Sequence, residues 1–241
     1  MKRAPLWLAP VLWLAGFVLL VLYLDSFLAT GLFQPRRRLP QLAWEHLQLT
    51  LGAFVFGAIP ALGLFLLQRR AGPGFLKGFL HRVSIFTETV PTVALLALLI
   101  PLAGYGNLPI LLALGIYGIF PLYTALDGGF RSIPRQILEN ASGLGFNPRQ
   151  RLWKIELPLA LPVLWAGVRT TLVNLTAAAT LGATVGAGGF GAPIIAGIRS
   201  SDPLLILQGA LPSAFLALAF DSLSYSRTGP DAPVRARRLR S

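Results

Sequence analysis

The 241-residue sequence contains no cysteine, one methionine and two histidines, and only 12% of it is charged. The lack of cysteine excludes disulfides, thiol nucleophiles and thiolate metal sites. His46 and His81 stand far apart in the chain, which leaves no histidine cluster to ligate a metal. A soluble domain carries about 25% charged residues, so this chain lacks the polar side chains that would cover a globule in water. Also missing is any G-x-x-x-x-G-K-[ST] stretch, the loop whose backbone amides cradle nucleotide phosphates. ATP, where it is needed, is expected to be handled by another polypeptide, and no catalytic centre or cofactor is expected here.

What the chain has instead is apolar length. Hydrophobic residues make up 54% of it and the mean hydropathy is +0.66. They fall in runs of about 20 residues, long enough to cross the hydrocarbon core of a bilayer as helix. Six runs are read, at approximately residues 6–24, 47–67, 83–102, 109–126, 159–183 and 203–223. The first follows Lys2 and Arg3, is longer than the roughly 7–15-residue core of a signal peptide and precedes no clear small-x-small cleavage site. It reads as a retained signal anchor. Pro60, Pro91, Pro121 and Pro212 fall inside runs, which membrane helices tolerate where neighbours or water satisfy the freed backbone groups.

The net charge of +12 could suggest a nucleic-acid partner. The basic residues alternate with the apolar runs rather than forming one stripe, so no nucleic acid is expected. Sixteen of the 21 basic residues, among them Arg69, Arg70, Arg131, Arg135, Arg151 and the C-terminal arginines, fall on one side of the six runs. Four, Arg36–Arg38 and Arg199, fall on the other, and Arg169 lies within or near a span. An excess of Lys and Arg marks the cytoplasmic side. Both termini and the 127–158 loop are therefore expected in the cytoplasm of a multi-pass plasma (inner) membrane protein.

That loop differs from everything around it. Ile137, Leu138, Ala141 and Leu144 recur with helical spacing, Gly143 and Gly145 end the helix, and Asn147-Pro148 turns the chain and restarts it. Arg149 to Ile155 is a second short amphipathic stretch, joined to the next run by Leu157-Pro158. The expected element is a helix–turn–helix on the cytoplasmic surface. Glu139-Asn140-Ala141, then Gly145, then Ile155-x-Leu157-Pro158 resembles the EAA motif of binding-protein-dependent ABC importer permeases, with Asn140 where a second alanine is usual.

The resemblance implies an all-α, type I (MetI-like) permease, with residues 1–45 as signal anchor and external loop. Residues 46–223 would be the permease core and 224–241 a basic cytoplasmic tail. It implies that the loop docks on a separate ATPase and converts closure of the ATPase dimer into movement of the spans. Carried over, Glu139 is a polar contact near the start of the coupling helix and Ala141 a small residue allowing close approach. Gly145 turns the chain without a side chain colliding with the ATPase, and Pro158 starts the next span stiffly. The implied partners are two ATPase subunits, an extracytoplasmic substrate-binding protein, a second permease copy or paralogue, and the lipid bilayer.

Further segments resemble the osmoprotectant branch (glycine betaine, choline, carnitine) of these permeases: Thr87 to Pro101, Tyr117-Gly-Ile-Phe-Pro121, Leu157 to Pro162, Ala166 to Thr170 and Val185 to Gly191. Glu88 stands where that branch usually has glutamine. Glu88, Pro91, Tyr117, Pro121 and Arg169 are the candidates for the translocation path: for Glu88 and Arg169 because a charge at membrane depth is costly unless paired or hydrated, for the prolines because broken helices are common along a path. A methylated cation binds aromatic faces, and Phe86, Tyr105, Tyr117, Phe120 and Tyr123 are available. Gly186-Ala-Gly188-Gly-Phe-Gly191 fits G-x-G-x-x-G, but it follows an apolar run rather than a strand, and it reads as a flexible external bend. Permeases for amino acids or other small solutes remain open as alternatives. So does an ion-gradient-driven secondary transporter using Glu88, although the EAA spacing speaks against that.

Overall fold

The computed structural model describes residues 11–13, 15–16, 19, 39–72 and 74–222. The signal-anchor run 6–24 lies for the most part outside the described residues, and the Arg36–Arg38 cluster and the 224–241 tail lie wholly outside them. Among the described residues every regular element is helical. Four helices among the described residues are long and apolar enough to cross a membrane.

The first of these, α1 (Leu39–Ala71), extends the expected 47–67 run at both ends. Its 33 residues measure about 50 Å, more than the roughly 30 Å of a bilayer core. Glu45 therefore extends beyond one membrane face and Arg69-Arg70 beyond the other. Pro60 sits inside it without ending it.

The expected single span at 83–102 is two helices, α2 (Phe75–Thr89) and α3 (Thr92–Ala103). Pro91 is the cause. It lacks an N–H and drives the preceding residue out of helical geometry, and Val90 and Pro91 are both extended (φ −74°, ψ 121° and φ −61°, ψ 129°). At 12 residues α3 is about 18 Å long, too short to cross by itself.

Helix α4 (Asn107–Arg131) returns through the centre of the protein. It crosses α1 at a seam of small residues. Ala53 and Ala61 are fully buried, and a Cβ on Gly57 between them would lie 2.7 Å from the Gly115 carbonyl oxygen. Such small-residue stripes let membrane helices approach closely, where packing rather than water exclusion holds them. Two buried clusters fill the remaining space. One, with Leu49, Leu96, Ile110, Leu114 and Leu175, lies toward the Glu45 end, and the other, with Phe65, Leu80, Leu122 and Tyr123, toward the Arg69 end.

After α4 come the short helices α5 (Arg135–Gly143) and α6 (Pro148–Arg151). A π turn, Leu152–Glu156, then joins α6 to α7 (Leu157–Ala179). The second amphipathic stretch is thus no separate helix: residues 148–185 form one helical rod. Pro158 neither donates to a carbonyl one turn back nor tolerates one against its ring. The wider turn ahead of it accommodates this, with the Leu157 N–H reaching back five residues to the Leu152 carbonyl. A 3-10 turn (Thr180–Val185) leads to α8 (Gly191–Ser200), which packs in a hairpin against the last helix, α9 (Pro203–Ser222).

Candidate functional site

The α5–α6 segment is built by local hydrogen bonding. Gly145 has φ +80°. The Gly145 N–H donates to the Ser142 carbonyl and the Phe146 N–H to the Ala141 carbonyl (3.0 and 3.1 Å). This pair of bonds is the Schellman ending of a helix, which requires a left-handed residue at the position of Gly145. Glycine is thus needed for the backbone itself, whatever lies outside it. Asn147 then restarts the chain with a capping box: its Oδ1 accepts from the Gln150 N–H at 2.8 Å, and Gln150 Oε1 accepts from the Asn147 N–H at 3.1 Å.

The loop candidates do not all share one surface. Glu139, Asn140 and Gly145 are exposed. Ala141 is 3% exposed. Leu144 takes the outward place at 78% exposure, and Trp153 is 62% exposed. Both are apolar side chains on an otherwise polar segment. Ile155 and Leu157 are half-buried and Pro158 is exposed.

A buried ionic cluster joins this segment to the helices, and the sequence reading overlooked it. Glu156, at the end of the π turn, is 3% exposed. Arg69 at the end of α1 donates to its Oε2, and Arg151 Nε donates to its Oε1 at 2.8 Å. Arg151 also reaches Ser142 Oγ in α5 at 3.2 Å, and the Arg69 guanidinium lies 4.9 Å over the Phe130 ring of α4. The preceding residue, Gln68, accepts from the Tyr123 hydroxyl at 2.7 Å and donates to Asp127 at 3.2 Å. Glu156 is the only acid between Glu139 and Asp202, placed among arginines at the start of an apolar run. That isolation was the available signal.

The path candidates fall at the α2–α3 break, in the middle of α4 and in α7. Pro91 forms the break between α2 and α3, and Glu88 lies one residue before the end of α2. Tyr117 and Pro121 are one turn apart in α4, where Pro121 leaves the Tyr117 carbonyl without its helical donor. Arg169 is paired with Asp221 of α9 at 3.3 Å. Tyr105 is exposed in the turn before α4, whereas Tyr123 is buried about 27 Å further along. Among the described residues no group of three His, Asp or Glu side chains could hold a metal.

At the Glu45 end the glycine-rich turn is tied down rather than flexible. Glu45 Oε2 accepts from the Gly189 N–H at 2.9 Å and Asn107 Oδ1 from the Gly188 N–H at 3.2 Å. His46 is fully buried, with Nε2 3.1 Å from the Thr176 carbonyl and its ring against Phe190. Glu45→Ala is expected to release the Gly189 N–H, with Gly188 still held by Asn107. Amide hydrogen exchange across residues 186–191 would read this as a rise of about fivefold to tenfold, the loss of one charge-assisted bond of about 1–1.5 kcal/mol. Unchanged exchange would show that Asn107 and the packing of Phe190 suffice.

Known proteins place these features. The sequence pattern of the family described as "Binding-protein-dependent transport system inner membrane component" matches residues 53–226. The choline transport system permease protein OpuBB of Bacillus subtilis (strain 168) is 35% identical over 180 residues, covering 74% of this chain and 81% of that protein. The glycine betaine/carnitine/choline transport system permease protein OpuCB of the same organism is 36% identical over 179 residues, covering 73% and 81%. Among solved structures, an inward-facing conformation of the MetNI methionine ABC transporter superposes with a TM-score of 0.64. At 22% identity it covers 77% of this chain and 94% of that one, a likeness of fold. This chain belongs to the inner membrane components of binding-protein-dependent transport systems.

Proposed function

We propose that this chain is the permease subunit of an ABC importer that brings a small trimethylammonium osmoprotectant into the cell, with glycine betaine, choline and carnitine as the chemical class. The observation that carries the reading is the 135–158 segment. It is a polar, hydrogen-bonded segment, a short helix followed by a turn and a capped helix start, at the end of the protein that bears Arg69, Arg131 and Arg151, with Leu144 and Trp153 exposed. An excess of basic residues marks that end as cytoplasmic, the side on which ATP is found. An exposed leucine on such a segment fits a groove on a partner.

The partners implied are a pair of ATPase subunits, an extracytoplasmic binding protein and a second permease, either another copy or a paralogue. The chain has no phosphate-cradling loop of its own. The four long helices, the interrupted α2–α3 crossing and the 6–24 run together make six passes, with both termini in the cytoplasm. Choline, glycine betaine and carnitine, named for the relatives, share a trimethylammonium group, and that group supports the substrate class.

Purifying the complex from membranes, identifying its chains and titrating the associated binding protein tests this. The expected result is an ATPase chain and a binding protein in the complex, with betaine, choline or carnitine bound and amino acids ignored. A binding protein that takes only amino acids would contradict the substrate assignment.

A further inference from the structure

Glu156 is buried with a basic partner on each carboxylate oxygen. Those partners belong to different parts of the protein. Arg69 ends α1, whereas Arg151 ends α6 and also holds Ser142 of α5. The three groups therefore bridge the projecting segment and the membrane helices by a route separate from the backbone.

The backbone route has a compliant point. Between α6 and α7 it passes through the π turn Leu152–Glu156, where the regular hydrogen-bond ladder of the helix is interrupted. A push delivered to α5 and α6 would be partly absorbed there. The ionic cluster spans the same turn, because Arg151 precedes it and Glu156 closes it.

We propose that Glu156 is a positioning residue, clamped by Arg69 and Arg151, that carries displacement of the 135–158 segment past the π turn and into α1. The inference rests on the reading of that segment as the site where the ATPase acts. Parting this buried carboxylate from either arginine leaves one of its oxygens without its charged partner, which costs more than breaking an exposed pair, so the three side chains move together. The exposed Arg131–Asp127 pair, within a single helix, carries no such obligation.

Helix α1 is suited to receive the movement. Its last turn is held to α4 twice over, by Gln68 on Tyr123 and Asp127 and by Arg69 on Phe130. Its other end grips the glycine-rich turn through Glu45 and Gly189. Those two anchorages are 24 positions apart, about 36 Å of continuous helix. Movement at Arg69 is thereby delivered to the opposite face of the membrane.

The test uses the whole complex, with its ATPase and binding protein, in proteoliposomes. For Glu156→Gln the expected result is uptake per ATP hydrolysed lowered about tenfold or more, with ATP hydrolysis and ATPase retention within about twofold of normal. Glu156→Asp is expected to recover most of the ratio. Arg69→Gln should reproduce the defect from the more exposed end of the cluster, which keeps the test available if Glu156→Gln does not accumulate. The Arg69→Gln/Glu156→Gln double variant should be no worse than either single one, because all three sever the same link. Uptake and hydrolysis falling together in proportion, additive losses in the double variant, or an unchanged ratio would each overturn the proposal. If Gly145→Arg abolishes uptake while Glu156→Gln leaves the ratio unchanged, only the clamp fails. If Gly145→Arg itself transports normally, the reading of the segment fails.

Discussion

Gly145→Arg is expected to abolish uptake, and the ATPase is expected to be lost from the purified complex. Two effects combine at this position. The residue holds φ +80°, which costs an L-amino acid about 1–2 kcal/mol, and the Schellman bonds of Gly145 and Phe146 depend on it. An added Cβ meets nothing within 4 Å, so the chain itself still has room to fold. The arginine side chain then projects from the exposed tip beside Leu144, into the space a docked partner would occupy. Gly145→Ala separates the two effects, because it keeps the backbone strain and adds almost no bulk. Partial activity for alanine with none for arginine is the expected pattern, read as uptake and as ATPase co-purification. Full uptake by the arginine variant would sink the coupling assignment.

Gly57→Leu is expected to prevent α1 and α4 from packing, with loss of about 3 kcal/mol or more. A Cβ at Gly57 already falls 2.7 Å from the Gly115 carbonyl oxygen and 3.2 Å from the Gly118 carbonyl carbon. Both are backbone atoms in a helix and cannot move aside. The fully buried Ala53 and Ala61 on the neighbouring turns leave no room for a shift along the seam. Gly63→Leu is the matched control, since nothing lies within 4 Å of a Cβ at Gly63. Thermal unfolding in detergent, followed by size-exclusion recovery, should separate the two variants by about 6–12 °C. Equal melting of Gly57→Leu and Gly63→Leu would mean that the seam is not what holds the bundle.

Much of this molecule could be read before any coordinates. Apolar runs marked four long helices, because composition alone determines where a chain prefers lipid. The Asn147-Pro148 restart and the Gly145 stop follow local rules that short peptides also obey, and both are in place. Local rules also contained the answer at Pro91, where the run was apolar enough to look continuous and the proline nevertheless split it. The overlooked features depend on what lies across the bundle. Glu156 meets Arg69 only because α7 and α1 end at the same level, and no spacing between positions 69 and 156 encodes that. Glu45 and the glycine-rich turn are likewise 144 residues apart in sequence and one hydrogen bond apart in space. Ala141 and Leu144 lie three residues apart on one expected face, yet one is buried and the other exposed. The helix ends between them, and the left-handed turn at Gly145 redirects the chain.

The central claim is that movement of the 135–158 segment by an ATP-hydrolysing partner drives this chain. Uptake of labelled glycine betaine, choline and carnitine into proteoliposomes holding the complete complex tests it most directly, with ATP and an imposed sodium or proton gradient supplied separately. The expected result is uptake with ATP alone, none with either gradient alone, and none with ATP when Gly145→Arg replaces the native chain. Uptake driven by an ion gradient without ATP, unaffected by Gly145→Arg, would contradict it.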